Sequence, residues 1–281
     1  MAAVRKSAIA GSWYPGHASA LQQDIKKYFA LVPDFDPPGE IYGLVAPHAG
    51  YLYSGLVAAY AYKLISGRIY DAVVIVGPSH RVAFSGASIY RRGGYETPLG
   101  IVPVAEDLAD KITNFSGIVH DLPAAHIQEH SLEIQLPFLQ VALGNFSFVP
   151  LVMGDQRTDT CYELAEAIYQ AIKGRKILIV GSSDLSHFHD YNKASQLDAV
   201  ALRYLQSGNA AGLLKSLDSD ICEACGGGPM AVAMLVAQKM GAEKSKLLKY
   251  ANSGDVTGDK SSVVGYASAV FYALGGFKQW N

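Results

Sequence analysis

Charge is scarce in this chain. Asp, Glu, Lys and Arg make up only 17% of the 281 residues, against about a quarter in an ordinary soluble domain, while half are hydrophobic. That balance excludes a disordered chain and implies a large core. No excess of either sign exists, the formal net charge being -2, so neither nucleic acid nor an anionic membrane surface is an expected partner. No apolar run approaches the roughly 18 residues that span a bilayer. The stretch from Ser7 to Trp13 behind Arg5 and Lys6 is too short and interrupted for a signal-peptide core. With only three cysteines there is no disulfide framework, and a cytoplasmic location is expected. The dinucleotide and P-loop fingerprints are absent. Gly181-Ser182-Ser183-Asp184 is not the strained G-x-S-x-G turn of a serine hydrolase.

What is present is one pattern used three times. Asp71–Gly77 is an apolar run rich in β-branched residues, stopped by Gly77-Pro78 and followed by His80. Such a run reads as a strand buried on both faces of a covered parallel sheet. Residues 41–47 lead in the same way to His48, and residues 176–180 lead through Gly181-Ser182-Ser183-Asp184 to His187. If the strands are parallel, three imidazoles meet at the carboxyl edge, where open α/β sheets bind ligands. A β-loop-α-β connection joins the first two strands, and such crossovers are right-handed and parallel. His48 and His80 are therefore expected on neighbouring strands.

Between these strands the periodicities alternate. Ser19-x-x-Gln22 has capping-box spacing, and Leu21, Ile25, Tyr28 and Phe29 follow at helical intervals. Ser54 is an expected cap for a helix running to residue 65. Residues 86–104 read as an antiparallel excursion, and 105–113 as a short helix. Strands are expected at 146–153, 246–251 and 262–272. Helices are expected at 159–172, 193–206, 210–217 and from Pro229 through residue 239. Nothing reads as a linker or repeat, so residues 1–281 are expected to form a single domain. The fold class is α/β, with a central, mostly parallel mixed sheet flanked by helices.

Two further stretches carry chemistry. Cys222-Glu223-Ala224-Cys225 precedes three glycines and a helix start, where a thiolate is favoured. A lone C-x-x-C is a weak zinc pattern, and packing or a redox pair are the alternatives; Cys161 reads as a core residue. His126-Ile127-Gln128-Glu129-His130 matches the H-x-x-E-H of inverted zinc peptidases. A helix there would put both histidines on one face; a polar face lining the cleft is the alternative.

Taken together, Gly11-Ser12-Trp13-Tyr14-Pro15, Ala46-Pro47-His48-Ala49-Gly50-Tyr51, Gly77-Pro78-Ser79-His80, Glu129-His130-Ser131-Leu132-Glu133, Ser183-Asp184-Leu185-Ser186-His187 and Cys225-Gly226-x-x-Pro229 resemble the MEMO family over nearly the whole chain. In prokaryotes that family is met as the B component of the AmmeMemoRadiSam group. The resemblance implies a fold similar to class III extradiol dioxygenases, whose iron is held by two histidines and a carboxylate. It puts His48 and His80 at the histidine ligands and Cys225 where those enzymes place a glutamate. His187 falls at the acid–base histidine, with Asp184 beside it. Fe(II) or Cu(I) is the expected ion, with zinc as an alternative: the resemblance implies iron, and a thiolate, softer than a carboxylate, biases the set toward Cu(I) or zinc. Tyr51, Tyr53 and Arg81 are expected near the rim, and Tyr51, Arg81, Glu129 and His130 as substrate-binding residues. Three readings remain open: a metal-dependent redox protein acting on a small substrate, a binding module for a peptide or small ligand, and a zinc hydrolase. AmmeMemoRadiSam partner proteins are implied by the resemblance alone.

Overall fold

The computed structural model describes residues 4–35, 37 and 39–275. Four parallel strands form its centre: β2 (Glu40–Ala46), β9 (Ile177–Ser182), β3 (Ala72–Pro78) and β8 (Phe148–Met153), adjacent in that order. Nearly all of their residues are buried, as the unbroken Val/Ile/Leu runs require. β12 (Val263–Ala273) joins antiparallel beside β2. The far side of β12 is shared by β10 (His187–His189) and β11 (Lys244–Asn252). At the opposite end β4 (Ala87–Ile89) pairs antiparallel with β8, and β7 (Val119–His120) pairs with β4. The rest of the expected excursion is a hairpin of β5 (Gly94–Thr97) and β6 (Gly100–Pro103), which β1 (Val4–Arg5) extends into a small second sheet.

Two layers of helix flank the large sheet. In one, α10 (Gly227–Lys239) lies across β2, β9 and β3, backed by α7 (Thr158–Ile172) and α9 (Ala210–Asp218). In the other, α2 (Tyr51–Lys63) packs on β2, β11 and β12, backed by α1 (Ala18–Leu31) and α6 (Leu136–Leu143). α3 (Glu106–Phe115) packs on α7, and α8 (Tyr191–Ser207) on β11 and β12. α4 (Ala124–Ile127), α5 (His130–Glu133) and α11 (Ser253–Thr257) are single turns. Cys161 is fully buried within α7. No helix of the described residues is long and apolar enough to cross a membrane.

Three expectations are corrected. His48 and His80 leave strands that are not neighbours, because β9 lies between β2 and β3. The first helix starts at Ala18 behind His17, so Ser19 is already inside it and no capping box forms. Ser54 likewise lies inside α2, behind Gly50, and its hydroxyl donates back to the Ala49 carbonyl at 2.8 Å.

Candidate metal centre

Because β2, β9 and β3 run parallel and in register, with Ala46 opposite Ser182 and Val76 opposite Gly181, their exits reach the same level. His48 follows β2, Asp184 and His187 follow β9, and His80 follows β3. The loop before α10 brings Cys225 onto the same edge. That loop fits only because Gly226 has no side chain: a Cβ there would lie 2.2 Å from the Ser182 carbonyl oxygen. Gln156 ties the loop down, its amide donating to the Cys225 carbonyl at 2.7 Å and accepting from Gly228 N–H at 2.7 Å.

The histidine tautomers follow from donor counts. Ser182 has one hydroxyl proton, and it goes to the Ser131 carbonyl at 2.6 Å. Its oxygen therefore accepts from the Gln135 amide at 2.9 Å and from His48 Nδ1 at 2.9 Å. His80 Nδ1 donates to the Glu129 carboxylate at 2.9 Å, and His187 Nδ1 to the Leu185 carbonyl at 2.8 Å. Each ring thus carries a proton on Nδ1, and its Nε2 faces away from these partners. His48 Nε2 lies 3.0 Å from Cys225 Sγ. Burial, reinforced by His80, pushes the His48 imidazole down to about 3, so it is neutral at ordinary pH. Burial also pushes the Cys225 thiol up, and Asp184 adds to this.

The ligating atoms of His48, His80 and Cys225 all lie within 4.8 Å of one another. Metal–nitrogen bonds of about 2.0–2.1 Å and metal–sulfur bonds of about 2.3 Å place ligands of one ion roughly 3.3–3.8 Å apart. The set fits an ion if the His48–Cys225 contact opens by a few tenths of an ångström. A carboxylate or hydroxyl behind each imidazole is the arrangement that fixes metal-binding histidines. His80, Glu129 and His130 form a second such group, but there the carboxylate is already engaged by His80 N–H at 2.7 Å, His80 Nδ1 and Ser131 N–H at 2.8 Å.

Of these groups His48, His80 and His130 line a cavity of about 600 Å³, together with Asp184 and His187, while Cys225 and His187 line a neighbouring pocket of about 390 Å³. The other walls of the larger cavity include Trp13, Leu52, Tyr53, Phe188 and Tyr266. Trp13 packs its ring on His130 at 4.4 Å, and His130 stacks on His80 at 4.4 Å.

Several expected roles change. Tyr51 does not line the cavity: it is buried against Tyr14, Tyr28 and Phe138, and its hydroxyl donates to the Ile134 carbonyl. As the first residue of α2 it faces the core, while Leu52 and Tyr53 face the cavity. Arg81 is exposed and outside the lining. Glu129 is 1% exposed and holds His80 instead of reaching a substrate. Asp184, expected to orient His187 or bind substrate, lines the cavity, and its Oδ1 accepts from His48 N–H at 2.7 Å and Ala49 N–H at 3.3 Å, clamping the β2 exit loop. Burial raises its carboxyl, although those amides and His187 oppose the rise. The H-x-x-E-H stretch is not one helix. His126 belongs to α4 and bonds Ser88 and Tyr95, while His130 belongs to α5 and faces the cavity. The zinc-peptidase reading fails on that separation. Ser182, Gln135 and Phe188 have no site signal in the sequence beyond the place of Ser182, which follows Gly181 and is the last residue of β9.

The fold and site together define a mixed α/β protein with three imidazoles and a thiol at the carboxyl edge of its parallel strands. The chain belongs to the Memo family: the family model described as Memo-like protein matches residues 5–270. It is 39% identical over 280 residues to a MEMO1 family protein of Pyrobaculum aerophilum, covering 96% of this chain and 99% of that one. A MEMO1 family protein of Methanobrevibacter smithii is 36% identical over 282 residues, with 95% and 99% covered. Among solved structures, the uncharacterized protein JW3007 of Escherichia coli K12 matches with a TM-score of 0.49 at 13% identity, over 82% of this chain and all of that one.

Proposed function

We propose that this protein is a metal-dependent redox protein, in which His48, His80 and Cys225 hold one transition-metal ion at the floor of a cleft for a small ligand. The observation that carries this reading is the convergence of three ligating atoms within 4.8 Å, with the far nitrogens of both imidazoles already fixed by Ser182 and Glu129. Two imidazoles and a thiolate suit Fe(II) or Cu(I), and zinc less specifically. When bound, the ion supplies Lewis acidity and one-electron exchange to a ligand in the cavity.

The chain's own residues do the rest. Cys225 gives up its proton as the ion binds. His187, which lines the cavity, takes a proton from the ligand and returns it. Asp184 holds the His48 loop in place through two amides. Trp13, Tyr53, Phe188 and Tyr266 supply apolar walls that limit water.

The test is elemental analysis of protein purified without oxygen. One iron or copper per chain is expected, and less than a tenth of that in His48→Ala; unchanged metal content in the variant overturns the assignment. Oxygen uptake by Fe(II)- or Cu(I)-loaded protein with a panel of catechols then tests turnover. A second reading has its own support. The Cys225 thiol and His48 Nε2 satisfy each other at 3.0 Å, so the cleft stays ordered without an ion and can serve as a binding module. Equal ligand binding with and without chelator would favour it.

A further inference from the structure

The cleft does not end at its aromatic wall. Tyr53, Phe188, Val264 and Tyr266 also line a second, outer chamber of about 350 Å³, whose remaining walls are Ser253, Thr257, Asp259 and Ser262. One chamber is floored by histidines and the other by hydroxyls and one carboxylate, and they share a partition of aromatic and apolar groups.

Phe188 stands at that junction in an unusual state. Its φ is 63°, in the left-handed region that bulky side chains avoid. It is the extra residue of a β-bulge, because His187 pairs with Val264 and His189 with Val263. Both neighbours are held: His187 Nδ1 donates to the Leu185 carbonyl, and His189 Nε2 pairs with Glu223 at 2.9 Å. The residue is nevertheless 75% exposed. Packing inside the protein therefore does not repay the backbone strain. Strain of this kind gathers at ligand sites, and an aromatic ring poised over a cavity offers its face to a planar guest.

The outer chamber has one formal charge, Asp259, and no cationic side chain in its lining. Its Oδ1 accepts from Ser261 N–H at 2.9 Å and Ser261 Oγ at 2.7 Å. The adjacent cation, Lys260, is turned away over the Tyr191 ring at 4.5 Å.

We propose that the ligand of this cleft is an extended molecule, with a planar oxygen-bearing head in the histidine chamber and a short cationic tail that passes Phe188 into the outer chamber beside Asp259. The inference rests on the reading of the inner chamber as a ligand-binding metal site, and the test separates the two. Catechol, 3,4-dihydroxyphenethylamine and 3,4-dihydroxyphenylacetate share one head and differ in tail charge. Each is titrated calorimetrically, without oxygen, into the metal-loaded full chain. The amine is expected to bind about two- to five-fold tighter than catechol, the range of an exposed charge pair, and the acid weaker by a similar factor. Raising the salt concentration should shrink both differences. Asp259→Asn should bring the three affinities together. Phe188→Gly should weaken all three while leaving the melting temperature unchanged or higher, since glycine accepts the left-handed conformation; a merely structural Phe188 would lower it. Equal binding of the three ligands, or an amine preference that survives Asp259→Asn, overturns the two-chamber proposal and leaves the metal site standing. Failure of all three to bind the metal-loaded protein overturns both.

Discussion

Two glutamates four residues apart serve opposite ends. Glu129 and Glu133 flank one turn of helix, and they are 1% and 0% exposed. Burial alone would raise both carboxyls, yet bonds hold both below the ordinary carboxylate range, those from His80 for Glu129 and those from Arg5 and Ala8 N–H for Glu133. Their partners differ. Glu133 pairs with Arg5 and accepts from Ser7 Oγ, Ala8 N–H, Ile9 N–H and Tyr14 Oη. That network closes on itself and ties β1 and the turn after it to α5. Glu129 faces His80, whose other nitrogen is left open toward the cavity. A buried polar cluster that satisfies every member builds the fold; one that leaves a lone pair facing space builds a site.

The largest effect should come from breaking the closed cluster. Glu133→Gln removes the charge partner of buried Arg5, and an uncompensated buried charge costs about 3–5 kcal/mol. Denaturant unfolding measures the loss, while the metal bound per folded chain should stay near that of the parent protein. A loss below about 1 kcal/mol would mean that the cluster is no more than a surface-like ion pair.

Breaking the open cluster should invert that pattern. Glu129→Gln keeps the shape and one acceptor for His80 but removes the carboxylate behind it. Changes of this kind cost about 10–100-fold in metal affinity, or about 1.4–2.7 kcal/mol. Competition with a chelator reads the affinity, and the change in unfolding free energy should be smaller than that of Glu133→Gln. If both variants lose stability alike and bind metal alike, the two glutamates are one structural cluster.

The sequence distinguished these roles only in part. The strand exits were legible because apolar β-branched runs end at Gly77-Pro78, Pro47 and Gly181, and the parallel crossover sets their common edge. Their partners were not legible. Ser182, Gln135 and Glu129 reach the imidazoles across 134, 47 and 49 residues or through one another, and no local periodicity records such pairings. Tyr51 was misplaced because a helix start has no period that says which of three successive side chains turns inward. The H-x-x-E-H spacing misled for a related reason: a break at Gln128 and Glu129 separates α4 from α5. The left-handed Phe188 carries no glycine or asparagine signature. It is imposed by β12 and Glu223, elements distant in the chain.

The smallest effect is a pH dependence, and it tests the closed cluster without touching the site. Glu133 has a carboxyl pKa below its ordinary value in the folded protein, so the native state binds its proton less readily than the unfolded chain. Its contribution to stability is complete above the unfolded value of about 4.3 and fades as pH falls through the lower folded value. The groups facing it are Arg5 on β1 and Tyr14 on the following turn. Burial together with Glu133 raises the Tyr14 hydroxyl far from that range. Other carboxylates titrate in the same window, so the readout is the stability of the parent protein minus that of Glu133→Gln, measured from pH 6 down to pH 2. The difference should be flat above about pH 4.5 and then shrink, with a slope no steeper than about 1.4 kcal/mol per pH unit for one proton. A difference that stays constant to the lowest pH would show that Arg5 and Glu133 stabilise the fold by shape alone, and the contrast between the two glutamates would then rest on packing and not on charge.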